Sequence, residues 1–181
     1  MYRTSSYLFK DTEHAANLFA LKEAGNIYTR ITNPTTGMLE QRITALEGGA
    51  ASVAVASGTS AIHYTIINIA SAGDEILAAN NLYGGTYTMF DAILPQLGIK
   101  TNFVNPLDPE NFRKGITPRT KLIYIETIGN PVLDFTDVQA VADIAHEAGI
   151  PLIVDATFTT PYLLRTIDHG ADIVINSLTK W

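Results

Sequence analysis

Cysteine is absent from this 181-residue chain. Disulfides, thiolate metal ligands and cysteine nucleophiles are therefore excluded. The absence is compatible with a reducing compartment, and a cytoplasmic location is the expectation. Charge is sparse as well. Charged residues make up 17% of the chain, with 12 basic against 18 acidic side chains and a net charge of -6. No basic run stands out, so nucleic acid is not expected as a partner. No apolar run is long enough to cross a bilayer, and no segment has the build of a signal peptide, so no membrane partner is expected either. The four histidines, His14, His63, His146 and His169, share no ligand spacing, and no metal site is expected. Repeats, low-complexity tracts and flexible linkers are also missing.

What the chain does have is a large apolar fraction, 46%. That fits one domain, or a large piece of one, with a substantial core. Short β-branched runs recur at residues 52–56, 75–79, 100–104, 121–126, 151–155 and 172–176. Helix-length segments lie between them, at about 59–70, 86–97 and 137–148. The last has Val138, Val141, Ala142 and Ala145 at helical spacing, with Gly149 placed to close it. This alternation predicts an α/β fold: a mostly parallel sheet with helices on both faces. Ligands of such sheets bind beyond the carboxyl ends of the strands.

Residues 1–48 read differently, as a helical N-terminal arm before the sheet domain of residues 49–181. Asp11 is placed to cap a helix reaching about Glu23, and Pro34 to begin another ending near Glu47. Residues 25–30 between them read as an exposed loop. Such an arm suggests an oligomer contact.

Several stretches have residue types suited to chemistry. Ser57, Gly58 and Thr59 follow a strand-like run and open a helix. Free N–H groups and the helix dipole would favour a phosphate there, and an ordinary capped turn accounts for the same residues. The turn is neither a Walker loop nor a dinucleotide fingerprint. Asp155 ends an apolar run, where it suits either a helix cap or a carboxylate paired with a ring nitrogen. Lys180 ends a second apolar run within Ser177-Leu178-Thr179-Lys180. The 25 residues between Asp155 and Lys180 leave room for one crossover, which brings both to the same rim. A surface lysine is the ordinary reading, and a Schiff-base nucleophile the functional one. Tyr83, before Gly84-Gly85, suits ring stacking or plain turn packing. Asn130, before Pro131, is a turn signal that also suits a hydrogen bond to a ring oxygen, and Glu126 lies just ahead of it.

In order along the chain, Tyr28-Thr29-Arg30 with Asn33-Pro34-Thr35, Ser57-Gly58, Tyr83-Gly84, Glu126 with Asn130-Pro131, Asp155 and Ser177-Leu178-Thr179-Lys180 form a set. The set resembles the Cys/Met-metabolism family of pyridoxal-phosphate-dependent enzymes, with the aspartate-aminotransferase-type fold. The resemblance implies that pyridoxal 5'-phosphate is the cofactor and that residues 49–181 are part of the domain binding it. It implies a Schiff base at Lys180, a ring-nitrogen partner in Asp155, and a stacking Tyr83 that assists proton transfer at the γ-leaving group. Ser57, Gly58, Thr59, Ser177 and Thr179 would hold the phosphate, and Asn130 would meet the ring's phenolic oxygen. Tyr28 and Arg30 would reach the phosphate of a neighbouring subunit's cofactor. A homodimer would then be the catalytic unit and a tetramer the expected assembly.

Within the family, the wording is most similar to the O-acetylhomoserine sulfhydrylase branch. That implies γ-replacement on O-acetyl-L-homoserine by sulfide or a thiol, giving homocysteine or methionine and acetate. Methionine γ-lyases, which typically have cysteine where Gly85 stands, and cystathionine γ-synthases and γ-lyases are the alternatives. Family members continue beyond the lysine into a region with the arginine for the substrate carboxylate. The expectation is therefore a truncated chain, inactive by itself, with a non-catalytic fragment as a further alternative.

Overall fold

The computed structural model describes residues Met1–Trp181. Five strands form one sheet: β1 (Glu75–Ala79), β2 (Lys100–Val104), β3 (Thr120–Glu126), β4 (Leu152–Asp155) and β5 (Ile173–Ile175). Their order is β2-β1-β3-β4-β5, and every pairing is parallel. All five residues of β1 are buried, as are six of the seven in β3, all but Lys121. Successive strand side chains point to opposite faces, so burial of every position means that both faces are covered.

Helices of the same compact unit as the sheet supply the covering, and the chain as a whole has seven α-helices. In chain order these are α1 (Thr12–Phe19), α2 (Pro34–Glu47), α3 (Gly58–Ile69), α4 (Gly84–Thr88), α5 (Glu110–Gly115), α6 (Val138–Glu147) and α7 (Thr160–Leu163). α6 buries Val138, Val141, Ala142, Ile144 and Ala145, so its expected apolar stripe is its core face. Asp137 caps it by accepting from the Ala140 N–H. The core gathers Ile66, Phe90, Leu94, Phe112 and the interior strand residues around Tyr124, whose ring meets Phe90 edge-on at 4.9 Å. No helix is long and apolar enough to cross a membrane.

The chain divides into two compact units. One comprises Met1–Ala45 with Gly49–Ala54, the other Leu46–Gly48 with Val55–Trp181. Residues 46–48 group with the second unit and residues 49–54 with the first. In the first unit, Asn33 is buried and donates to the Tyr2 carbonyl and to Thr29, which ties the chain start to the turn before α2. The second unit contains the whole sheet.

Three local expectations need correction, and one helix was not anticipated. Residues 52–56 do not form a strand. The Ala54 N–H donates to Glu40 Oε1 and the Ser52 hydroxyl pairs with Thr44, so these groups bond to α2 side chains instead of a ladder. Val53 stays 82% exposed. Helix α1 stops at Phe19 instead of reaching Glu23, because Leu21 adopts φ 55 just beyond it. The segment at 86–97 is helical but changes pitch, from α4 through a π turn at Met89–Ile93 to a 3-10 turn at Leu94–Leu97. Pro95 lies in that last turn. Helix α5 has no counterpart in the sequence reading, since six residues are too few to display a period.

These differences predict opposite outcomes for two truncations of β-branched residues. Ile123→Ala, in the middle of β3, should lower unfolding free energy by about 2–5 kcal/mol. Val53→Ala should change it by no more than about 0.5 kcal/mol. Urea denaturation of both variants checks this, and a large loss at Val53 would restore residues 52–56 to the core.

Candidate active site

Because the strands are parallel, their carboxyl ends share one rim. Register places Glu126, the last residue of β3, directly beside Asp155, the last residue of β4, and Asp155 beside Ile175 of β5. Three loops leave this rim next to one another. The loop after β4 carries Thr157, the loop after β5 carries Ser177, Thr179 and Lys180, and the loop after β3 carries Asn130.

Asp155 lies at the centre of these loops. Its Oδ1 accepts the Thr157 N–H at 2.9 Å, and the Tyr124 hydroxyl lies 3.5 Å from its Oδ2. The local turn favoured for Asp by its sequence position is therefore present, and the other oxygen faces Tyr124. Burial raises the Asp155 carboxyl above its ordinary value, and hydrogen bonds from Thr157 and Tyr124 oppose that rise. Glu126 is only 5% exposed, and its Oε1 accepts the Tyr83 N–H at 2.8 Å. Burial, reinforced by the neighbouring Asp155, raises the Glu126 carboxyl to about 8, while the Tyr83 N–H pulls the other way. Burial and the same two carboxyls also push the Tyr124 phenol well up.

Thr157 joins the two loops. Besides donating its N–H to Asp155, its hydroxyl accepts the Ser177 N–H at 2.9 Å, and its carbonyl accepts the Trp181 indole N–H at 3.2 Å. The Asp155 turn and the Lys180 turn are therefore fastened by one residue. Lys180 lies in a 3-10 turn, Leu178–Lys180, with its N–H bonded to the Ser177 carbonyl and its side chain exposed. One residue before Ser177, Asn176 donates to Glu47 Oε1 at 2.5 Å, which anchors the end of β5 to the end of α2. Burial raises the Glu47 carboxyl, although the Asn176 hydrogen bond and the charge of Arg165 work against it.

The Ser57 turn opens α3 as expected. Ser57 is extended, and its hydroxyl accepts the Ser60 N–H. The Gly58 and Thr59 N–H groups, in the first helical turn, have no intrahelical acceptor and stay available for an anion. A Cβ on Gly58 would stand 2.7 Å from the Ser177 Cβ. Glycine is therefore required for the Ser57 turn and the Ser177 loop to approach this closely. Tyr83 precedes α4 and is 54% exposed. A cleft of about 600 Å³ runs between α3 and α4, lined by Thr59, Ser60, His63, Gly84, Gly85 and neighbouring residues. Asn130 donates its N–H to the Asn81 carbonyl at 2.9 Å, in a turn where its bond to Pro131 is cis.

Tyr28 and Arg30 belong to the first unit. The Arg30 guanidinium lies over the Tyr28 ring, 5.4 Å from its centroid, and Tyr28 bridges to Ser6. Sequence reasoning overlooked Thr157, Glu47, Asn176 and Tyr124. A partial signal existed for Thr157, because an Asp at a turn accepts the backbone N–H two residues on, but nothing local marks its hydroxyl as the acceptor for Ser177. Nothing local marks Glu47 and Asn176, whose contact spans 129 residues.

Comparison with known proteins follows the whole chain. The sequence profile described as Cys/Met metabolism PLP-dependent enzyme matches residues 1–181. An O-acetyl-L-homoserine sulfhydrylase of Leptospira meyeri is 55% identical over 181 residues, covering 100% of this chain and 41% of that protein. A homocysteine synthase of Schizosaccharomyces pombe is 50% identical over 182 residues, covering 100% of this chain and 42% of that protein. The chain thus spans about two-fifths of the length of the curated relatives it matches. Among solved structures, a protein of Campylobacter jejuni described as an O-acetylhomoserine (thiol)-lyase, containing N'-pyridoxyl-lysine-5'-monophosphate, superposes with TM-score 0.95 at 39% identity. That match covers 98% of this chain and 44% of the other.

Two outcomes follow from the geometry. Thr157→Val keeps the side-chain shape but removes the acceptor for the Ser177 N–H. Unfolding free energy should fall by about 1–3 kcal/mol, and amide exchange at Ser177 should accelerate more than at β1. Equal exchange at both places would remove Thr157 as the fastener. The second outcome concerns pH. The Glu126 carboxyl is higher in the folded chain, about 8, than the ordinary 4.5 of an unfolded one. The folded state therefore binds more protons between those values. The stability contributed by protonated Glu126 is complete below pH 4.5 and is lost as pH rises to about 8, at up to about 1.4 kcal/mol per pH unit. Glu126→Gln should flatten that decline, leaving the contribution of Asp155, and should gain over the parent up to about pH 8. Thermal melts across this range check the sign.

Proposed function

The chain belongs to the Cys/Met metabolism family of pyridoxal-phosphate-dependent enzymes, and from that membership we propose γ-replacement on O-acetyl-L-homoserine by sulfide or a thiol. The products are homocysteine, or methionine when the thiol is methanethiol, and acetate. The observation that carries this reading is the identity of 55% and 50%, along the whole chain, with an O-acetyl-L-homoserine sulfhydrylase and a homocysteine synthase. The alternatives within the family are methionine γ-lyase and cystathionine γ-synthase or γ-lyase chemistry. Gly85 speaks against the first. A Cβ there would stand 2.6 Å from the Tyr83 ring, so the cysteine typical of those lyases would displace that ring from its present position.

The residues present fit the cofactor. The Asp155 carboxyl is partly buried, and its hydrogen-bond partners, the Thr157 N–H and the Tyr124 hydroxyl, are both neutral. Its raised pKa reflects the cost of an uncompensated buried anion, and a protonated ring nitrogen would remove that cost. The Ser57 turn has unbonded N–H groups in contact with the Ser177 loop, a suitable cradle for phosphate. When bound, the cofactor supplies an electron sink for a carbanion at the substrate Cα.

The chain's own residues then divide the work. Lys180 holds the cofactor covalently and moves protons at the substrate Cα and Cβ. Asp155 keeps the ring nitrogen protonated. Tyr83 stacks on the ring and assists proton transfer at the leaving group on Cγ. Gly58, Thr59, Ser57, Ser177 and Thr179 hold the phosphate, and Asn130 meets the phenolic oxygen. Tyr28 and Arg30 reach the phosphate in a neighbouring subunit, so a dimer is the catalytic unit, within a tetramer. The N-terminal arm serves these contacts between subunits, and the second unit is the cofactor-binding portion. A cytoplasmic setting belongs to the same proposal.

Intact mass before and after borohydride reduction, with pyridoxal phosphate present, tests the cofactor reading directly. The 19.6 kDa chain should gain one pyridoxyl group, mapping to Lys180. Lys180→Ala should lose that adduct, and any turnover that the parent shows should fall roughly 10²–10⁴-fold. An adduct at an unchanged level in the variant would sink the lysine assignment. Homocysteine and acetate measured from O-acetyl-L-homoserine and sulfide test the reaction. A chain that takes the cofactor on Lys180 yet forms neither product is a cofactor-binding portion without turnover.

A further inference from the structure

We propose that Glu126 is a positioning residue, whose carboxyl fastens the Tyr83 turn to the strand end beside Asp155, so that one side chain sets the ring-stacking phenol relative to the ring-nitrogen carboxylate. The proposal rests on the cofactor reading of Tyr83 and Asp155 given above.

The geometry supports this from both sides of Glu126. On one side, its Oε1 accepts the Tyr83 N–H at 2.8 Å, a contact between residues 43 apart in sequence. Tyr83 makes no side-chain capping bond to α4, and the residue as a whole is 54% exposed. Packing therefore does little to hold that ring, and its direction depends on where the backbone is pinned. A second bond, from the Asn130 N–H to the Asn81 carbonyl at 2.9 Å, ties the same turn to the exit of β3. On the other side, Glu126 and Asp155 are register partners in adjacent parallel strands, which fixes their backbones about 4.8 Å apart. The path from Tyr83 through Glu126 to Asp155 thus contains one hydrogen bond and one strand pairing, with no flexible linker.

The chemistry of Glu126 suits an acceptor more than an anion. With 5% exposure and Asp155 alongside, a second charge on this rim is disfavoured, and the carboxyl stays largely protonated at neutral pH. A neutral carboxyl still accepts the Tyr83 N–H through its carbonyl oxygen. It leaves Asp155 as the single charged group available to a ring nitrogen. Glutamine reproduces the acceptor and the neutrality. Aspartate retains the acid but is one methylene too short, and alanine removes both.

The test compares Glu126→Ala, Glu126→Asp and Glu126→Gln in the purified protein. Amide exchange at Tyr83 is measured without cofactor. The dissociation constant of pyridoxal phosphate and the visible circular dichroism of the lysine-bound cofactor are measured with it. Alanine and aspartate should accelerate Tyr83 exchange and weaken cofactor binding, each by roughly tenfold, and should reduce the dichroism. Glutamine should restore all three to within about twofold of the parent. Val141→Ala, which truncates a buried residue on α6, serves as a destabilised control that should leave the dichroism unchanged. Unaltered Tyr83 exchange and dichroism in the alanine variant would overturn the proposal. So would a glutamine variant as impaired as alanine, because that would assign the effect to charge. A parent protein that takes no cofactor on Lys180 defeats the cofactor reading instead, and the exchange measurement still decides whether Glu126 fixes the Tyr83 turn.

Discussion

Parallel pairing of β3 with β4 sets Glu126 against Asp155 at the rim of the sheet, and the organisation of the site follows from that pairing. A parallel sheet points all its carboxyl ends one way, so the loops that leave those ends converge. Two neighbouring carboxyls, one buried and one partly buried, cannot both be charged cheaply. One of them, Glu126, is occupied by the Tyr83 N–H, and the other, Asp155, is held by Thr157 and faces Tyr124. The pairing therefore creates an electrostatic demand that a cationic ring nitrogen would satisfy. The same demand makes the rim sensitive to pH.

The loops around this pair are joined to each other. Thr157 takes part in three hydrogen bonds, to Asp155, Ser177 and Trp181, and so couples the exit of β4 to that of β5. Asn176 and Glu47 anchor the same exit to the end of α2. Gly58 lets the opening of α3 come against Ser177. Each of these contacts constrains the approach to Lys180 without touching its amine. The side chain that would carry the cofactor remains exposed, on a turn whose backbone is fixed from three directions.

Much of the fold can be read along the chain because its signals are local. Five of the six β-branched runs are strands, and the apolar stripe of α6 faces the core. The sixth run, residues 52–56, shows the limit of that reading. Its composition suits a strand, but composition says nothing about what lies beside it, and its polar groups bond to Glu40 and Thr44 of α2. Helix α1 was overextended for a related reason. Capping by Asp11 marks its start, whereas its end depends on the backbone at Leu21.

The candidate site divides in the same way. Residue types and order alone single out Lys180, Asp155, Tyr83, the Ser57 turn and Asn130, because each lies at a strand exit or helix start that is visible locally. The chain by itself also determines what its own residues exclude, since 181 residues without cysteine offer no disulfide, thiolate ligand or cysteine nucleophile. Only the tertiary structure decided that Glu126 neighbours Asp155 and reaches Tyr83, that Thr157 fastens two loops, and that Glu47 meets Asn176. The physical reason is that these are contacts between segments 20 to 129 residues apart. Their register is set by strand pairing and burial, and neither periodicity nor capping carries that information.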